Sequence, residues 1–165
     1  MHGRGLDERE HHEHADDQGP AGLAVDREGT DKDGRIDFDQ PGRLIGNWFL
    51  DVSPALVDGS PGGWDGELAF AYDCQHPSKI VIAIGGSLAL MGKWSIPSDA
   101  PDPASIGVAQ GLVTYPLWSP FDPIQVGTML VQLTDESHLK VEVFQGVPGP
   151  GVVLAFDGNA QVYAR

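Results

Sequence analysis

The stretch Thr128-Met129-Leu130-Val131-Gln132-Leu133, then Thr134-Asp135-Glu136-Ser137, then His138-Leu139-Lys140-Val141-Glu142-Val143-Phe144 alternates with a period of two on both sides of a polar turn. Successive side chains of a strand point to opposite faces. Met129, Val131 and Leu133 therefore share a face with one another, as do Leu139, Val141 and Val143. Gln132, Lys140 and Glu142 fall on the other side and are expected to face water. A hairpin with one apolar face needs further strands to complete a common interior.

The rest of the chain supplies them. Residues 43–52 read as a first strand. Residues 67–74 follow, with Leu68, Phe70 and Tyr72 on one face and the small Ala69 and Ala71 on the other. In residues 78–84 Ile80, Ile82 and Ile84 face one way; Val81 and Ala83 are also apolar, so burial on both sides is expected. Gly85-Gly86 reads as a hairpin turn into a strand over 87–96. Residues 112–118 form another strand, bent at Pro116, and 152–156 and 160–165 complete the series. The 22 glycines and 13 prolines suit short strands joined by many turns, and 165 residues suffice for one domain with a hydrophobic core. The expected fold class is all-β, an antiparallel barrel of about eight strands over residues 41–165, with a β-sandwich as the alternative. A barrel leaves no sheet edge exposed.

Charge narrows the partners. A formal net charge of −14 repels polyanions, which argues against nucleic acid and anionic membrane surfaces as unaided partners. No apolar run approaches the ~20 residues of a membrane helix, so no membrane insertion is expected. Cys74 is the single cysteine, so no internal disulfide can form and the compartment cannot be read from it. The first ten residues hold no apolar signal core, which places the chain as written in the cytoplasm or at the end of a longer exported protein. Oligomeric state is not legible.

Residues 1–40 carry 12 of the 24 acidic side chains and 4 of the 6 histidines, with few large apolar residues, and are expected to form a disordered acidic tail. His11, His12 and His14 beside Asp16 and Asp17 have the chemistry of transition-metal ligands, but a solvated tract lacks the surroundings that fix ligand geometry; a solvating role is the leading expectation. Asp31, Asp33 and Asp37 around Gly34 have the alternating oxygens of half a calcium loop. Gly29 and Gln40 stand where its charged anchors belong. Across residues 31–50 the pattern resembles the single calcium repeats of dockerin-like segments, although Pro41-Gly42 interrupts the helix that such a repeat requires. No cofactor is expected, with calcium or a transition metal on the tail as the lesser alternative.

Gly46-Asn47-Trp48 at the head of the first strand resembles the Gly-x-Trp of the lipocalin and wider calycin families, and Arg165 after the last strand resembles their closing arginine. The resemblance implies an antiparallel barrel in which Arg165 packs across Trp48 and seals one end. Lipocalins usually add a flanking helix and disulfides, and this chain has neither signal. The sequence also resembles modules at the ends of uncharacterised multidomain microbial proteins, which implies an accessory role.

Three functions follow as expectations. The first is non-enzymatic binding of a small apolar ligand inside the barrel, lined by Leu68, Phe70, Tyr72, Ile80, Ile82, Ile84 and Met91, with a packed core as its equal rival. The second is a carbohydrate- or protein-binding module using Trp64, Trp94, Trp118 and Tyr115 as exposed rings. The third, least favoured, is a hydrolytic enzyme using Cys74 and His76; a small buried cysteine beside a polar turn is the preferred reading of that segment. Asp135, Glu136 and His138 read as turn chemistry.

Overall fold

The computed structural model describes residue 28 and residues 38–51 and 63–165. Eight antiparallel strands close into a barrel in sequential order: β1 (Gly46–Leu50), β2 (Glu67–Tyr72), β3 (Ile80–Ile84), β4 (Gly92–Ser95), β5 (Val113–Trp118), β6 (Gln125–Leu133), β7 (His138–Gln145) and β8 (Gln161–Ala164). The barrel closes where Phe49 pairs with Ala164 and Leu50 with Tyr163. Two short 3-10 turns, Gly63–Gly66 and Val108–Gln110, are the only helical elements among the described residues. No helix there is long and apolar enough to cross a membrane.

Register follows the alternation. β6 and β7 pair from Gly127↔Gln145 to Leu133↔Leu139, which puts Met129, Val131, Leu133, Leu139 and Val141 inside. Leu68↔Ile84, Phe70↔Ile82 and Tyr72↔Ile80 extend the same interior across β2 and β3. Trp48, Phe70, Tyr115 and Tyr163 are the largest fully buried side chains, and Leu44, Leu88, Ile96 and Ile106 join the cluster from connecting segments. Side chains thus fill both the barrel and its approaches.

At the end where the chain enters β1, Gly46 has φ +115° and a Cβ there would lie 2.7 Å from Asp39 Cα, so glycine is required. Leu44 and Ile45 donate their N–H groups to Ile106 and Pro103, at 2.9 and 3.2 Å, which seats residues 97–111 across this end. The opposite end is covered by the β3–β4 connection. There Ser87 Oγ meets the Tyr163 hydroxyl at 2.7 Å, Leu88 is buried, and Leu90 lies so close to Gly127 that no Cβ fits at that glycine.

Several expectations are corrected. The first strand starts at Gly46, because the N–H groups of Leu44 and Ile45 bond to the 97–111 segment and not to a strand. Gly85-Gly86 is not a tight hairpin turn: residues 85–91 form a longer connection, because Ser87 and Leu88 turn into the barrel mouth, and the strand is only Gly92–Ser95. β5 runs through Pro116, and its register shift falls between Leu117 and Trp118. Residues 152–156 form no strand. Ala83 is exposed, so β3 is buried on one side only.

The outer wall has two different halves. Outward-facing Thr128, Leu130 and Glu142 on β6 and β7 are buried. The β7–β8 connection lies over β7 at Glu142 and Lys140: Asp157 N–H donates to Glu142 Oε2 at 2.8 Å, and Lys140 Nζ stands 4.8 Å from the Phe156 ring centroid. Glu142, expected in water, is only 3% exposed because of this cover. On β1 to β4, by contrast, Phe49 and Ala83 remain exposed.

Candidate functional site

The sealing pair can be built from its neighbours. Trp48 points inward and donates its indole N–H to the Leu44 carbonyl at 2.8 Å, which orients the ring. The Arg165 guanidinium lies 3.6 Å from the Trp48 ring centroid and donates to the carbonyls of Gln40 (3.1 Å), Ile45 (3.2 Å) and Arg43. Burial lowers the Arg165 pKa, while Asp39 opposes that shift. This assembly ties residues 40–45 to the barrel, and its geometry is that of a structural clasp.

Leu68, Phe70, Ile80, Ile82 and Ile84 lie in the interior, with Tyr72 partly buried against it. They pack on one another and on the other walls. Met91 does not join them: it is 69% exposed, because the 85–91 connection sends Leu88 inward and leaves Met91 outside. Tyr72 donates to Asp102 at 2.7 Å, and burial, helped by that carboxylate, pushes its pKa up to about 12. Tyr115, expected as an exposed ring, is fully buried and donates to the Pro101 carbonyl at 2.9 Å. Burial raises its pKa as well.

Trp94 is partly buried and donates its indole N–H to the Leu90 carbonyl at 2.7 Å, so it supports the mouth connection. Trp118 faces outward and is partly exposed. The Trp64 side chain lies outside what the structure describes, as do His11, His12, His14, Asp31, Asp33 and Asp37. Among the described residues no group of three or more His, Cys, Asp or Glu side chains could hold a metal.

Cys74 is exposed, not buried, because it follows the end of β2 in an open turn. Its neighbours are engaged elsewhere. Asp73 binds Lys93 Nζ at 2.8 Å, and that bond, with the His76 and Gln75 N–H groups, holds its carboxyl down at about 2. His76 Nδ1 lies 3.1 Å from Glu28. At the β6–β7 turn Asp135 accepts the Ser137 and His138 N–H groups and meets His138 Nδ1 at 2.8 Å; the Ser137 N–H does most to bring its pKa to about 2. These contacts stabilise a tight turn.

Among the described residues, concavities open on the outer surface. The most apolar, of about 380 Å³, runs across β1 to β4 between Asn47, Phe49, Glu67, Ala69, Ala83 and Met91. Its floor is low because register puts Asn47 beside Ala69 and Ala69 beside Ala83. Phe49, 54% exposed, and Met91 supply its large apolar side chains. A cleft of about 450 Å³ lies between residues 95–99 and 118–123. The third, of about 660 Å³, joins Ser87, Glu142, Asp157 and Gln161. Burial raises the Glu142 pKa and an Asn159 N–H lowers that of Asp157, so Glu142 keeps its proton to higher pH than Asp157 does.

Phe49 and Ala83 were missed as site residues, although a signal existed. If Trp48 points inward, apolar Phe49 must point outward, where water alone gives it no reason to be large and apolar. Phe121, between two prolines in a connection, carries no periodic signal at all. No protein-family model matches the sequence, no curated protein matches it, and no solved structure matches it.

Proposed function

We propose that this chain is a non-enzymatic binding module on a lipocalin-like barrel, and that it takes a small apolar ligand in the groove outside β1 to β4 and not within the barrel. The observation that carries this reading is the contrast between an interior filled by its own aromatic and aliphatic side chains and an outer groove with Phe49 and Met91 exposed over a floor of alanines. A volume of about 380 Å³ lies in the range of small-molecule sites. The closed sequential topology and the Arg165–Trp48 contact support the lipocalin-like character of the barrel. Asn47 and Glu67 at the rim supply polar groups to orient an otherwise apolar molecule.

Native mass spectrometry of the protein purified from its own host tests the reading. A bound molecule of defined mass is expected, and Phe49→Asp combined with Met91→Lys should abolish it without loss of fold. Retention in the double variant would place the ligand elsewhere, and an empty wild-type protein would count equally against the groove.

A further inference from the structure

The connection between β5 and β6 holds Phe121 out in solvent, 91% exposed, beside Trp118. The turn is fixed. Ser119 Oγ accepts the N–H groups of Phe121 and Asp122, both at 3.3 Å, Ser119 N–H donates to Ile124 O at 3.0 Å, and Ile124 N–H to Asp122 O at 2.7 Å. The backbone that carries the ring is thus held in place before any ligand arrives.

The cleft behind it opens where the barrel wall is thinnest, since β4 and β5 pair only through Ser95↔Trp118. Its lining combines the rings of Trp118 and Phe121 with prolines, with the hydroxyls of Ser98 and Ser119, and with the carboxylates of Asp99 and Asp122. It includes no Lys, Arg or His. The Trp118 indole Nε1 is buried and has no hydrogen-bond partner among the described residues, an unfavourable state for a donor removed from water.

We infer that this cleft is a saccharide subsite, taking one neutral hexopyranose unit with its C–H face on Phe121 and its hydroxyls shared between Asp99 and Asp122, and with the buried Trp118 indole N–H once that ring turns toward the sugar. The chemistry eliminates the alternatives. A phosphate or other anion meets two carboxylates and no cation, in a protein of net charge −14. A wholly apolar molecule would desolvate both aspartates without donating to them. An organic cation without oxygen would satisfy the carboxylates and the rings, but brings no acceptor for the indole N–H. A sugar hydroxyl both donates and accepts, and so answers every group in the cleft. This site shares no residue with the groove across β1 to β4, so failure of either leaves the other standing.

The test follows the Trp118 indole N–H and the amides of Ser119, Phe121 and Asp122 by 15N NMR in the full 165-residue chain. Hexasaccharides of α- and β-linked glucose, mannose, galactose and N-acetylglucosamine are added to millimolar concentration, with tetramethylammonium as the cationic probe. At least one saccharide should shift the indole signal, and Phe121→Ala should weaken that binding by roughly tenfold or more at unchanged melting temperature. Silence across the whole saccharide series, or a shift with tetramethylammonium alone, overturns the proposal, and so does binding that Phe121→Ala leaves intact.

Discussion

The two halves of the outer wall are built from strands of the same kind and end up in opposite states. On β6 and β7 the outward-facing Thr128, Leu130 and Glu142 are buried, Glu142 beneath the β7–β8 connection. On β1 and β3 the outward-facing Phe49 and Ala83 stay in contact with water. Alternation decides which way a side chain points. Whether that direction leads to solvent depends on what a distant segment does.

The interior sets the upper reference for any comparison of the walls. Trp48→Ala removes a fully buried ring and the face across which the Arg165 guanidinium packs; a loss of about 3–5 kcal/mol in urea unfolding is expected. Leu130→Ala should come next, at about 2–4 kcal/mol, because Leu130 is fully buried although it lies on the outer face. A cost below about 1 kcal/mol for that variant would mean that burial on this outer face contributes little packing, and the distinction between the walls would lose its energetic content.

A smaller effect is expected from the acid pair under the cover. Burial raises the folded-state pKa of Glu142 above its ordinary value of 4.5. A raised acid binds its proton more tightly in the folded chain, so its contribution is complete below 4.5 and declines as pH rises through the raised value. Asp157 runs the other way: its pKa lies below 3.8, so its contribution is present above that value and fades as pH falls. Stability in urea unfolding should therefore fall as pH rises through the raised Glu142 pKa. Glu142→Gln, which cannot ionise, should remove that fall. An unchanged fall in the variant would assign the pH response to other groups.

The bare wall gives the smallest effect. Phe49→Ala should change stability by no more than about 0.5 kcal/mol, because the ring has little packing to lose. A cost approaching that of Leu130→Ala would show that Phe49 packs as a core residue does, and would remove the reason to regard it as a ligand contact.

Much of the barrel was legible because its inward positions carry the period-two signal directly: Leu68, Phe70, Ile82, Val131 and Leu139 are all inside. Gly46 and Trp48 were legible as well, although the reason for the glycine, its close approach to Asp39, is a tertiary contact between residues seven apart. The site was harder to see. Met91 was assigned inward and Tyr115 outward, and both are reversed, because each assignment depended on where a strand begins or what covers it. Phe121 had no pattern to betray it, since a connection has no period.

The sequence by itself determined an all-β chain, the faces of its longest hairpin and the direction of most side chains, because strand geometry converts residue order into sidedness without reference to the rest of the molecule. Only the tertiary structure decided which outward faces are dry, how the two ends of the barrel are filled and where grooves open on its surface. Those outcomes depend on contacts between segments far apart in sequence, such as Ser87 with Tyr163 and Asp157 with Glu142, which local periodicity does not encode.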